Sequence, residues 1–148
     1  MAIADLIGPD QMVVGLRVAD KAQLLWELAR RAAASLELEQ PALLRALQAR
    51  EQLGSTGLGR GFALPHARLQ GLPRVYALLA RLGRPIDYNS VDDKPVDLVV
   101  LLLTPESAAG QHLATLAALS RPFRDEGFAQ QVRKAPDAAA LYQVLAGG

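Results

Sequence analysis

Val96-Asp97-Leu98-Val99-Val100-Leu101-Leu102-Leu103 is an apolar run broken only by Asp97. A strand with one face in water alternates polar and apolar residues; this one does not, so it reads as a strand covered on both faces. Such a strand needs helices above and below it, and the flanking sequence supplies candidates. Upstream, Arg74 to Leu82 is mostly apolar and reads as a longer strand. Phe62-Ala63-Leu64 reads as a short strand running into Pro65-His66, and Met12 to Val18 as another, rich in branched residues. Asp20 with Gln23 three residues on has the form of a helix-starting capping box, and Leu25, Leu28, Ala29, Ala32 and Leu36 follow at helical spacing. Pro41 suits the first turn of a second helix, with Leu43, Leu44 and Leu47 inward and Arg50 near its C-terminus.

Downstream, a helix is expected over about Ala109 to Arg121, with Leu113, Leu116, Ala117 and Ser120 on one face and His112 in its first turn. Phe123 to Lys134 and Asp137 to Ala146 read as two closing helices, the second capped by Asp137. The interspersed strands and helices predict a single-domain α/β sandwich over residues 1–148, a sheet with helices on both faces.

The composition fits one soluble domain: 148 residues, 51% hydrophobic and 21% charged. With 16 Lys+Arg against 15 Asp+Glu, no electrostatic footprint for nucleic acid is expected. The start, Met1-Ala2-Ile3-Ala4-Asp5, lacks a signal-peptide pattern, and the longest apolar runs are too short for a bilayer. A cytoplasmic protein without membrane insertion is the expectation. The absence of cysteine removes disulfides, thiolate catalysis and cysteine zinc sites, and leaves two histidines as candidates for chemistry near neutral pH.

One of them, His66, ends the stretch Arg50-Glu51-Gln52-Leu53-Gly54-Ser55-Thr56-Gly57-Leu58-Gly59-Arg60-Gly61-Phe62-Ala63-Leu64-Pro65-His66. A neutral imidazole is a good nucleophile toward phosphorus, and phosphoryl transfer asks mainly for positioning and for donors to the phosphoryl oxygens. Residues 53–61 carry four glycines and read as an irregular loop whose N–H groups can turn toward an anion. Ser55, Thr56 and Gly57 add loop donors, Arg50 and Arg60 add guanidinium forks, and His112 is a possible second imidazole donor.

Each feature has a plainer reading. An isolated histidine is more often structural, glycines more often serve the backbone, and Arg50 suits a helix end. The loop lacks the Gly-Lys-Ser/Thr ending of a nucleotide-binding loop. A metal site from His66, His112 and Asp92, Asp93 or Glu106 lacks a ligand spacing, so no metal is expected. A Ser55–His66–Asp triad lacks a nucleophile elbow.

The run from Arg50 to His66 resembles the EIIA domains of the fructose/mannitol type in the bacterial phosphoenolpyruvate-dependent phosphotransferase system, and most of all their nitrogen-related branch, the nitrogen regulatory IIA proteins. The resemblance continues through Pro85 to Tyr88, Asp92 to Leu103, Pro105, His112-Leu113, Leu116-Ala117 and Leu141-Tyr142. It implies a mixed sheet flanked by helices and no cofactor. It implies that His66 accepts a phosphoryl group from an HPr-like phosphocarrier, with His112 supporting, Arg50 in the active centre, and Ser55 and Thr56 beside it. Arg60 stands where this family often has Asn, and Ala67 where Gly commonly follows the histidine. IIB domains of this type carry phosphate on a cysteine, so a chain without cysteine or membrane segment is expected to be a stand-alone IIA. A rim of Phe62, Leu64 and Leu69 is expected to dock the donor. The phosphate then either passes to a fructose/mannitol-type IIB or acts as a switch for regulatory targets such as potassium transport or nitrogen control.

Overall fold

A computed structural model of the chain describes residues 2–107 and 109–147. Met1 and Gly148, the ends of the expected domain, lie outside the described residues, as does Ala108. The elements in order are α1 (Ile3–Leu6), β1 (Met12–Leu16), α2 (Lys21–Leu36), α3 (Gln40–Gln52), β2 (Gly57–Gly59), β3 (Phe62–Ala63), β4 (His66–Leu69), β5 (Tyr76–Ile86) and β6 (Val96–Pro105). They are followed by α4 (Ala109–Ser120), a 3-10 turn (Arg121–Arg124), α5 (Glu126–Lys134) and α6 (Ala138–Gly147).

The unbroken apolar run is central in the sheet, whose order is β1-β5-β6-β3-β2 with β4 also on β6. Strand β6 pairs antiparallel with β5 along one edge and parallel with β3 and β4 along the other, so the sheet is mixed. Successive side chains of a strand point to opposite faces. Val99, Leu101 and Leu103 accordingly join a core with Leu25 and Leu28 of α2 and Leu43 and Leu47 of α3. Leu98, Val100 and Leu102 join the opposite core with Leu119, Phe123, Val132 and Leu141. Helices therefore cover both faces, as the missing alternation required.

Local signals hold at several helix ends. The Asp20 carboxylate accepts from the Gln23 N–H at 2.9 Å, and the Asp137 carboxylate accepts from the Ala140 N–H at 2.8 Å. Other boundaries move. Strand β1 ends at Leu16, after a register shift at Gly15, whose φ is 76°. The segment expected as one helix from Phe123 divides into the 3-10 turn and α5, because the Asp125 side chain caps a new start by accepting from the Phe128 N–H at 3.2 Å. Helix α4 does not bury the expected face. His112, Thr115 and Leu119 are buried, whereas Leu113 is 70% exposed. The inward face of its N-terminal half is polar, and there His112 Nδ1 lies 2.6 Å from Thr104 Oγ1 of β6.

The feature that sets up the site is the edge of β6. Phe62 faces Leu98, Ala63 faces Val99 and His66 faces Leu102, so β3 and β4 run end to end in one register with a break at Leu64-Pro65. Proline has no N–H for a ladder. Its carbonyl nevertheless accepts from the Leu102 N–H at 3.0 Å, and the Leu64 N–H donates to the Thr56 carbonyl at 3.0 Å. His66 thus leaves a tethered backbone rather than a free loop.

Candidate active site

His66 opens β4 and is half-buried. Its Nδ1 lies 2.7 Å from the Leu64 carbonyl oxygen. A carbonyl only accepts, so Nδ1 carries the proton and donates, and the lone pair of the neutral ring resides on Nε2. Arg50 agrees with this tautomer: its Nε–H donates to His66 Nε2 at 3.3 Å, and its Nη1 donates to the Gly54 carbonyl at 3.0 Å. Burial pushes the His66 pKa below the ordinary histidine value, and the Arg50 charge adds to the effect against the opposing Leu64 hydrogen bond. The ring is neutral at pH 7, with a nucleophilic nitrogen beside a fixed cation.

The His112 ring centroid lies 5.4 Å from that of His66, with the planes tilted by 49°. Thr104, fully buried on β6, fixes this second imidazole through a 2.6 Å hydrogen bond between its Oγ1 and His112 Nδ1. That bond leaves His112 Nε2 for other partners. Burial lowers the His112 pKa too, followed by repulsion from His66 and Arg68. Arg50, His66 and His112 share a cleft of about 610 Å³ with Arg68, Glu106 and the exposed Leu53.

The glycine-bearing loop differs from the expected anion cradle. Residues 57–59 form β2 rather than an irregular loop, antiparallel to β3. Ser55 Oγ donates to the Tyr88 carbonyl at 3.0 Å and accepts from the Gly57 N–H at 3.1 Å, so both donors are committed. Thr56 is buried; its N–H donates to Glu51 Oε1 at 3.0 Å, and its hydroxyl donates to Glu51 Oε2 and lies 3.0 Å from the Tyr88 hydroxyl. Lys21 Nζ completes the cluster 2.9 Å from Glu51 Oε1. Burial and the adjacent Glu51 carboxylate push the Tyr88 phenol far above its ordinary pKa, keeping it neutral. Thr56 therefore braces the end of α3, which carries Arg50, while Ser55 bonds to Tyr88 and Gly57 to Ser55, instead of presenting free donors to the cleft.

Arg60 is not in this cleft. It sits at the β2–β3 turn with φ 58°, between Gly59 and Gly61, which also have positive φ. Its N–H donates to Asp92 Oδ2 and its Nη1 to the Arg124 carbonyl, each at 2.9 Å. The turn aims the guanidinium at a separate cleft of about 400 Å³ lined with Leu58, Phe62, Phe123 and Arg124. The same turn occupies Asp92, so of the acids considered beside the histidines only Glu106 lines their cleft. The expected docking rim also changes. Phe62 and Leu64 are buried in the core and Leu69 is half-buried beside a different cleft, while Leu53 and Leu113, 84% and 70% exposed, flank the histidines. Reading the sequence missed Glu51, Thr104 and Arg68, and considered Glu106 only as a metal ligand. Only Arg68 had a local signal: once His66 is placed on a strand, the residue two positions on shares its face.

The sequence profile of the family described as "Phosphoenolpyruvate-dependent sugar phosphotransferase system, EIIA 2" matches residues 5–147. The chain is 45% identical over 146 residues to a nitrogen regulatory protein of Bradyrhizobium diazoefficiens, covering 99% of this chain and 95% of that one. Among solved structures, the nitrogen regulatory protein IIA-Ntr of Neisseria meningitidis superposes with a TM-score of 0.91 at 31% identity, covering 97% of this chain and 98% of that one. The mannitol enzyme IIA of Escherichia coli, solved in complex with phosphorylated mannitol enzyme IIB, superposes with a TM-score of 0.82 and covers 96% of this chain and 98% of that one. At 17% identity that last likeness concerns the fold alone.

Proposed function

Because the chain belongs to the EIIA 2 family of the phosphoenolpyruvate-dependent sugar phosphotransferase system, we propose that residues 1–148 act as one phosphocarrier unit whose acceptor atom is Nε2 of His66. The observation that carries this reading is the locked tautomer: Nδ1–H is held by the Leu64 carbonyl, so the lone pair is on Nε2, where it accepts from Arg50 until Arg50 turns to the phosphoryl oxygens. The donor is a phosphohistidine on an HPr-like carrier. As Nε2 attacks in line, the new N–P bond forms while the donor's N–P bond breaks, and the donor imidazole departs with that electron pair. The leaving group is itself an imidazole, so the step calls for no metal. The His66 ring gains positive charge, and its Nδ1–H bond to Leu64 holds that charge in place. Arg50 and His112 Nε2 supply donors to the phosphoryl oxygens, pre-positioned by the Glu51 brace and by Thr104.

The family resemblance reaches furthest toward nitrogen regulatory proteins, which favours a regulatory output. A phosphoryl group on His66 places negative charge between the exposed Leu53 and Leu113 and changes which partner surfaces fit there. Targets in potassium transport or nitrogen control belong to this reading, and transfer to a fructose/mannitol-type IIB cysteine is the alternative. Among the described residues no helix is long and apolar enough to cross a membrane, and we assign the protein to the cytoplasm, where the carrier resides. The test is incubation with phosphoenolpyruvate, enzyme I and the carrier: acid-labile phosphate should appear in the wild type and be absent from a folded His66→Ala variant. Normal labelling of that variant would overturn the assignment. Retention of label in the presence of IIB, with partners that bind according to phosphorylation, separates regulator from transport component.

A further inference from the structure

The phosphoryl oxygens on His66 would carry close to two negative charges near neutral pH. Against them stand the charge that the His66 ring itself gains and a single guanidinium, Arg50, because His112 is neutral and Arg60 faces another cleft. Arg50 also remains tied to the Gly54 carbonyl. The cleft contains a second cation. Arg68 lies two residues beyond His66 on β4, and alternation along the strand puts both on one face, about 7 Å apart along the chain. The intervening Ala67 is buried in the α2–α3 core, as the opposite face requires. Arg68 is exposed, and its guanidinium forms no hydrogen bond or ion pair among the described residues. It lines the cleft together with both histidines.

We infer that Arg68 is a second phosphoryl-binding guanidinium of this cleft, approaching from the β4 side while Arg50 approaches from α3. The inference rests on the reading of His66 as acceptor. The strand geometry gives Arg68 a long, unengaged side chain on the reacting face, and its charge already acts on the His112 ring. Glu106 is the acidic group lining the same cleft, and it forms no ion pair with Arg68 within 4 Å. Arg68 is therefore free to meet an anion rather than neutralised in advance. Its planar fork accommodates two phosphoryl oxygens, which an ammonium group does with less directionality.

The experiment uses the full chain and phosphoramidate as a small donor, so no partner protein intervenes. Its N–P bond breaks as the His66 Nε2–P bond forms, ammonia leaves with the electron pair, and Nδ1 keeps its proton. Wild type, Arg68→Ala, Arg68→Lys and Arg60→Ala are compared for labelling rate and for the pH midpoint of the 31P resonance. Arg68→Ala should label on the order of tenfold more slowly, with the midpoint displaced upward because the dianion has lost a cation. Arg68→Lys should restore most of the midpoint but only part of the rate, and Arg60→Ala should match the wild type. If the wild type labels at His66 and Arg68→Ala matches it in both rate and midpoint, the role of Arg68 is overturned while the acceptor reading stands. If Arg60→Ala shifts both as much as Arg68→Ala, the effect is one of net charge and the role of Arg68 falls. If the wild type takes no label at His66, the acceptor reading fails and Arg68 loses its role with it.

Discussion

His66 Nδ1 and the carbonyl oxygen of Leu64 lie 2.7 Å apart, two residues from one another across Pro65. This local bond decides which nitrogen of the ring is the nucleophile. It is possible because the backbone at Pro65 leaves the β3 ladder before β4 resumes it, so the Leu64 carbonyl is available to the ring.

The tautomer can be read directly. In 15N-resolved spectra at pH 7.5, His66 should show a protonated Nδ1 and an unprotonated Nε2, and phosphorylation should place the 31P–15N coupling on Nε2. Coupling at Nδ1 would contradict the geometry, since that nitrogen would first have to give up the Leu64 bond.

Acid should weaken the fold through the histidines. Burial depresses the His66 and His112 pKa values below the ordinary 6.5, so between that value and the depressed folded values the unfolded chain binds more protons than the native one. Stability then rises with pH across that window and falls as the pH drops through it. Urea midpoints measured from pH 7.5 downward should decline below about 6.5, and a His66→Gln variant should show a shallower decline. An identical slope in the variant would show that His66 titrates normally.

Glu51 has a nearly buried side chain that binds Lys21, the Thr56 N–H and the Thr56 hydroxyl. Glu51→Ala leaves those groups without their acceptor and should cost roughly 2–4 kcal/mol in urea unfolding. Because Glu51 adjoins Arg50, labelling at His66 should also slow under conditions where the variant is fully folded. A stability loss with no change in labelling rate would mean that the brace does not position Arg50.

Arg60→Asn tests the separation of the two clefts. Asparagine tolerates a φ of 58° better than arginine, while the substitution gives up the exposed bond to the Arg124 carbonyl. These effects oppose one another, so stability should change by less than about 0.5 kcal/mol and labelling by less than about twofold. A large loss of labelling would return Arg60 to the active centre.

Much of the fold was legible. The β6 run lacks alternation because both of its faces are buried, and that single fact called for helices on both sides. The caps at Asp20 and Asp137 were readable because a carboxylate three residues from an unpaired N–H is a local arrangement. Strand β4 was not readable. His-Ala-Arg-Leu has no strand pattern of its own, and it is a strand because β6 offers an unpaired edge. The polar inner face of α4 was misread because periodicity assumes that buried means apolar, whereas His112 is buried against Thr104.

The sequence by itself determined which side chains were available: two histidines, an arginine ending α3, and a rigid Pro65 before His66. The tertiary structure decided which of them meet. Thr56, Ser55 and Arg60 lie closer in sequence to His66 than His112 does, yet they turn to Glu51, Tyr88 and Arg124. His112 crosses to within 5.4 Å because α4 follows directly from the strand that β4 pairs with. Donors and cations are chosen by backbone direction and by competing hydrogen-bond partners, and neither is written in the spacing of residues along the chain.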